Sequence, residues 1–302
     1  MTRITRRALL CGLSLSAGVG ALSAASLKRS RSTSDTGAVA DGLEFDPRAD
    51  AFGFDNYATP PVPPEPTEFV SRRDLREELT GRLETPLGTR VTDTLQASSG
   101  PRLRTVVDEL YANANRLFGT RGYCYGMVAT AQWYCEEPTA VPLERESASE
   151  IEHVNEPLED DAAAPVRDDI ERFHRQQFLD AESWLRRWAL LDPDWIDYEA
   201  QERHLRAAID EFGSAGITIS GADVLNGHYV LLYDYDANDD DVVFAVYDPN
   251  DAADRYVSDD PPVVGIETAT HEPLLGSYAG TYDRFLFIPA DRTISARGRV
   301  DR

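Results

Sequence analysis

The hydrophobic pattern divides the chain into a helical first part and a strand-rich second part. Thr67 to Leu83 and Pro101 to Phe118 place apolar residues three and four apart, in the second segment Leu103, Val106, Val107, Leu110, Ala114 and Leu117, which predicts helices. A Gly-containing loop, Gly119-Thr-Arg-Gly-Tyr, leads into Cys124, and residues 124–135 are mostly apolar, as in a buried helix. Two more helices are expected over about 167–191 and 196–212, with Phe173, Phe178, Trp184, Trp188 and Trp195 as aromatic anchors. The intervening residues 136–165 are irregular and acidic, and Pro138, Pro142, Pro157 and Pro165 exclude a long helix there. After Gly213 the period changes to that of strands. Ile217-Thr-Ile-Ser is one, His228 to Tyr235 and Val242 to Tyr247 form a hairpin across Ala237-Asn-Asp-Asp-Asp, and Phe285 to Ile288 is a late strand. Helices first and strands afterwards predict an α+β domain, and the chain carries no internal repeat.

Ahead of that pattern lie two segments of different character. Residues 26–66 are rich in Ser, Thr, Asp and Gly and end in a cluster of Pro60, Pro61, Pro63, Pro64 and Pro66; without a hydrophobic period they read as a disordered linker. Residues 1–25 carry Arg6-Arg7 before an uncharged run from Ala8 to Ala25, with Ser23-Ala24-Ala25 as small residues for cleavage. This is the pattern of a twin-arginine export signal, so the translocase of that route is an expected partner and the protein is expected outside the cell or at its surface. The run could just span a bilayer as a retained anchor, but its Gly and Ser content favours a signal. Cys11 lies too close to the arginines for a lipoprotein cleavage site. The expected layout is a signal or anchor over 1–25, a linker over 26–66, a folded domain over 67–290 and a tail over 291–302.

Charge narrows the partners. The first 31 residues hold six basic residues and no acid, so residues 32–302 carry 53 acidic against 24 basic side chains, a formal charge of −29. Such a surface repels nucleic acid and anionic membranes, so neither is expected as a partner, and no lipid-binding surface is expected beyond a retained N-terminal anchor. Lys28 is the only lysine. Arg in place of Lys with an excess of carboxylates resembles the composition of proteins from extreme halophiles, where molar salt screens the repulsion. An acidic partner-binding protein is the alternative, although the acid is spread along the chain rather than gathered in a tail. With Cys11 set aside, two cysteines are too few for a disulfide scaffold.

Those two cysteines differ in setting. Cys124 opens an apolar helix after a Gly-containing loop, close to unpaired N–H groups and the positive end of a helix dipole, which lowers a thiol pKa. The alternative is a buried structural cysteine. Cys135 fits that alternative, because within one helix it lies about 16 Å from Cys124 and cannot be bridged to it. A thiol nucleophile needs a base, and the base an orienting group. His228 opens the first hairpin strand and Asp248 ends the second, so a symmetric turn near Asn238–Asp239 would face them across the sheet, directly or diagonally. A surface cross-strand polar pair is the competing reading. His153, His174, His204 and His271 lack zinc-site spacing, and no phosphate loop or dinucleotide fingerprint occurs, so neither metal nor cofactor is expected.

At these stretches the sequence resembles the papain-like cysteine peptidase superfamily. Gly122-Tyr-Cys-Tyr-Gly-Met is similar to its loop-to-helix nucleophile motif. Gly227-His-Tyr-Val-Leu-Leu-Tyr-Asp-Tyr-Asp followed by Val246-Tyr-Asp-Pro-Asn resembles the His and Asp strands of bacteriocin-processing peptidases, and more closely a group with a Cys-x-Gly-Met helix before a His strand and a Tyr-Asp-Pro-Asn strand. The resemblance covers roughly residues 105 to 288 and implies an N-terminal helical lobe carrying Cys124, packed on an antiparallel sheet lobe carrying His228 and Asp248. It implies a thiol hydrolase, a cysteine peptidase, amidase or acyl-transferase acting on a peptide or another amide or thioester, with Cys124, His228 and Asp248 as its triad; the N-terminal signal would make it an exported one. The alternative it leaves is an inactive papain-fold binding or cell-surface protein. The superfamily's oxyanion-hole Gln is missing, since the sixth residue before Cys124 is Phe118; Asn113 and Asn115 are the substitutes at hand, with Asn115 the candidate oxyanion donor.

Overall fold

The computed structural model describes residues 44–58, 70–81, 107–108, 111–112, 114–115, 122–158, 163–179, 189–190, 192–222, 227–257 and 260–288. The stretch expected to be an export signal, most of the expected 26–66 linker, much of the helix expected over 101–118 and the expected 291–302 tail lie outside the described residues. The main helices are α1 (Pro47–Asp50), α2 (Arg72–Gly81), α3 (Cys124–Glu136), α4 (Pro165–Leu179) and α5 (Tyr198–Phe212). The strands are β1 (Ala215–Ser220), β2 (His228–Ala237), β3 (Asp241–Tyr247), β4 (Val263–Glu267), β5 (Pro273–Leu274) and β6 (Arg284–Phe287). They form one antiparallel six-stranded sheet in the order β5-β4-β3-β2-β1-β6, so the chain is an α+β protein.

Alternation along β2 explains why the sheet is covered on both faces. Val230 and Leu232 turn to one side, where α5 brings Leu205, Ala208 and Ile209 against them and against Ile217 and Ile219 of β1. Leu231 turns to the other side, with Tyr247 of β3, against Met127, Val128 and Ala131 of α3 and Val166 and Ile170 of α4. A strand apolar on both faces must be buried on both. The sheet is therefore sandwiched between α5 and the α3–α4 pair, whereas helices gathered into one lobe were expected. Each wholly buried Leu or Ile here contributes roughly 1.5–3 kcal/mol.

Local chemistry sets the ends of these elements. Asp197 caps α5 by accepting from the Ala200 N–H at 3.0 Å, and Gly213 ends it in the left-handed conformation at φ 75°. Gly126 lets α3 and α4 touch, since a Cβ there would lie 2.3 Å from the Ile170 carbonyl oxygen. Trp195, expected as a core anchor, is instead 64% exposed, while Phe173 is buried. No helix among the described residues is long and apolar enough to cross a membrane.

Two departures from the sequence pattern matter for the site. Residues 44–58 were assigned to a linker, yet Phe45, Ala51 and Phe52 are buried in the α3 cluster. This arm is held by backbone bonds: Gly53 N–H to the Ile151 carbonyl (3.0 Å), Ala253 N–H to Phe52 (2.8 Å), Asn56 N–H to Pro249 (2.7 Å) and Tyr123 N–H to Tyr57 (3.2 Å). Its isolated aromatics fill gaps along an irregular path, so no helix or strand period announces it. Residues 263–267, to which the sequence pattern assigns no element, add β4 beside β3.

Candidate active site

Cys124 begins α3, and its surroundings fix the helix end. Gly122 has φ +100°, a left-handed turn that sends the chain into the helix. Tyr123 precedes the first helical residue and is wholly buried, its ring stacked on Tyr57 at 4.6 Å and tilted against His174 at 4.9 Å. The first intrahelical bond in this turn runs from Met127 N–H to the Tyr123 carbonyl at 2.9 Å. The earlier N–H groups have no carbonyl within the helix to bind. The Tyr125 N–H and the Tyr229 N–H of β2 both favour the charged form of the Cys124 sulfur. Tyr125 and Tyr229, each one residue past a key side chain, pack ring on ring at 4.7 Å and tie the start of α3 to the start of β2.

The β2–β3 register brings His228 and Asp248 together by a route the sequence does not announce. The hairpin pairs Ala237 with Val242, a turn whose parity would set residues 228 and 248 on opposite faces. A bulge between Leu232 and Asp234 shifts the pairing by one, to Leu231 with Tyr247. Asp248 then falls across from Val230, one diagonal step from His228. The bulge shows in the packing: Tyr233 joins the α3 cluster, while Tyr235 turns to the α5 side.

His228 Nε2 lies 2.7 Å from Asp248 Oδ1, and both residues are buried. The carboxylate is further held by the Asn250 N–H on Oδ1 at 2.9 Å and the Tyr278 hydroxyl on Oδ2 at 2.9 Å. The Asp248 N–H donates to the Tyr256 hydroxyl at 2.8 Å. With Nε2 engaged, Nδ1 is the nitrogen left to face Cys124, a half-buried residue whose charged form the His228 ring favours.

Burial, the largest influence on all three groups, disfavours their charged forms, yet mutual contacts outweigh it. For Cys124 the His228 hydrogen bond and charge, then the two N–H groups, draw the thiol below its ordinary value. For His228 the Asp248 and Cys124 hydrogen bonds and charges push the imidazole up to about 10. Asp248 is held below its ordinary value, chiefly by His228. All three shifts run in the direction that favours a thiolate beside an imidazolium. Cys135 is the contrast: burial first, then the neighbouring Asp50 carboxylate, push its thiol up.

Asn115 does not serve as expected. Its amide nitrogen donates to the Val70 and Tyr111 carbonyls (2.9 and 3.0 Å), and its oxygen accepts from the Val70 N–H (3.1 Å). Those bonds pin α2 to the following helical segment. Asn113 lies outside the described residues. Among the described residues the Cys124 N–H itself is a donor open to a developing oxyanion. Among the described residues no group of three or more His, Cys, Asp and Glu side chains could hold a metal ion.

Sequence reasoning missed Asn56, Tyr256 and Tyr278. The tyrosines sit in the 250–283 stretch, where no pattern marks them, and Asn56 sits in the arm. Phe52, Phe54 and Tyr57 were the one available hint that this arm is folded. Comparison of the chain with family models, with curated proteins and with solved structures gives no match.

Proposed function

We propose that the protein is a papain-like thiol hydrolase or acyl-transferase, exported by a halophile, that acts on a peptide or another amide or thioester. The observation that carries this reading is the buried His228–Asp248 pair at 2.7 Å, with the His228 ring drawing the Cys124 thiol below its ordinary value. The α+β architecture and the chain order Cys, His, Asp accord with it. In the reaction the Cys124 thiolate attacks the carbonyl carbon, and the oxyanion that forms is met by the Cys124 N–H. The imidazolium of His228 gives its proton to the leaving amine or thiol as the acyl-sulfur bond is made. Neutral His228 then takes a proton from water or an acceptor amine, whose attack releases the acyl group and restores the pair. Asp248 keeps the ring oriented and stabilises its positive charge.

One observation favours a second reading, a binding or cell-surface protein without turnover: the Asn115 amide is committed elsewhere, leaving no side-chain donor assigned to the oxyanion. Incubation with a fluorogenic peptide and thioester library in molar KCl separates the two. Turnover that disappears in Cys124→Ala, with an acyl adduct on Cys124 by intact mass, is the expected result. A folded protein that neither turns over nor acylates across the library assigns the binding reading.

A further inference from the structure

One side chain outside the Cys, His and Asp set links the nucleophile helix to the loop that carries Asp248, and it comes from the N-terminal arm. Asn56 Oδ1 accepts the Tyr123 N–H at 2.8 Å, one residue before Cys124. Asn56 Nδ2 donates to Asn250 Oδ1 at 3.1 Å. Asn250 Nδ2 lies 3.1 Å from His228 Nε2, but that nitrogen already gives its proton to Asp248, so the link into the site runs instead through the Asn250 N–H, which binds the Asp248 carboxylate at 2.9 Å. The direction of this chain is fixed, because a backbone N–H can only donate. Tyr123 therefore sets the Asn56 amide, and Asn56 sets the Asn250 amide.

The surroundings are shaped to admit Asn56. A Cβ on Gly122 would lie 2.6 Å from Asn56 Nδ2 and 3.0 Å from Oδ1, so the amide rests against a bare Cα. Gly122 also has φ +100°, which disfavours any other residue. On either side of Asn56 the arm is clamped: the Asn56 N–H binds the Pro249 carbonyl at 2.7 Å, and Asp55 Oδ1 accepts from the Ala252 N–H at 3.0 Å. The arm thus bridges the loop before α3 and the loop after β3, the two segments that carry Cys124 and Asp248.

From this we infer that Asn56 is a positioning residue: through Asn250 it holds the start of α3 at the distance from His228 at which the thiolate and imidazolium pair. The inference rests on the reading of Cys124 and His228 as a reactive pair. Without the Asn56 amide the backbone bonds of the arm to Tyr123 and Pro249 remain, but the side-chain link from Tyr123 to Asn250 is lost, the pair loosens, and the thiol returns toward its ordinary value.

The test is the pH dependence of iodoacetamide alkylation at Cys124 and Cys135, read by peptide mass spectrometry on the full chain in molar KCl, with melting followed in parallel. In the wild-type protein Cys124 should react faster than Cys135 at pH values below the ordinary thiol range. Asn56→Ala should slow Cys124 about three- to tenfold at neutral pH, the equivalent of one lost hydrogen bond, and move its acid limb to higher pH. Asn250→Ala, at an exposed side chain, should do the same and serves if Asn56→Ala does not fold. The double variant should be no slower than the slower single, because the two amides act as one chain. A melting point that falls while the acid limb stays in place overturns the inference, as do single effects that add. Equal alkylation of the two cysteines in the wild-type protein overturns the reactive-pair reading and this inference with it.

Discussion

Replacing Cys124 by alanine, or His228 by alanine, is expected to abolish turnover, each lowering kcat by about a millionfold. The two groups act as one unit, since neither a thiol without its base nor a base without its thiol attacks a carbonyl. The double variant should therefore be no worse than either single. Asp248→Ala should leave more activity, with a loss of about ten-thousandfold, because it removes orientation and charge stabilisation rather than a reacting atom. The Tyr278 hydroxyl and the Asn250 N–H, which now bind Asp248, would remain nearby to hold a water in its place. Folding must be followed alongside, because His228→Ala leaves the buried Asp248 carboxylate without its cation, a change that costs about 3–5 kcal/mol. His228→Gln keeps a donor for Asp248 and removes the base, so it should be folded and equally inactive. Full activity in a folded His228→Gln protein would make the histidine a structural partner of Asp248 and nothing more.

Transfer from molar KCl to dilute buffer is expected to lower the melting point by about 10–20 °C, if the chain stays folded at all. The reason is the formal charge of −29 on residues 32–302. At 1 M salt the Debye length is about 3 Å, so neighbouring carboxylates hardly feel one another, whereas at 0.1 M it is about 10 Å. The sheet places some of this repulsion inside its own ladder: Asp241 of β3 sits directly across from Glu267 of β4. Like charges facing each other across strands are destabilising unless screened. Asp239 and Asp240 crowd the same hairpin tip. Equal melting points in dilute buffer and concentrated KCl would remove the halophile reading. Partial recovery on replacing Glu267 by Gln would locate a share of the effect at that pair.

How far the sequence carried depends on what each residue's neighbours are. Helix α3 was legible because its apolar run is local: Met127, Val128 and Ala131 announce burial whatever they pack against. The β2–β3 hairpin was legible for the same reason, and β1 and β6 followed from short apolar runs. The pairing of His228 with Asp248 was expected through a symmetric turn that the protein does not have. A bulge beside Tyr233 supplies the parity instead, and bulges leave no period to read. The arm was illegible because Phe45, Phe52 and Tyr57 fill separate holes at irregular spacing, so its order depends on partners about 70 to 200 residues away. Asn115 misled because its distance from Cys124 along the chain said nothing about where its amide turns. Val70, 45 residues earlier, is what it binds.

Alkylation of the folded wild-type protein across a pH range asks the simplest question of the site: whether Cys124 is a thiolate where an ordinary cysteine is not. The sign follows from the shifts of the pair. A lowered Cys124 value keeps the thiolate as pH falls below the ordinary thiol range, and a His228 value of about 10 keeps the imidazolium beside it through neutrality. Cys135, its thiol raised by burial and by Asp50, stays protonated throughout. Iodoacetamide at neutral pH in molar KCl should therefore label Cys124 at least about tenfold faster than Cys135, with an acid limb below about pH 8.5 that disappears in His228→Gln. Equal labelling of the two cysteines, or a Cys124 profile that follows an ordinary thiol and is unchanged by His228→Gln, would contradict a thiol enzyme at this site.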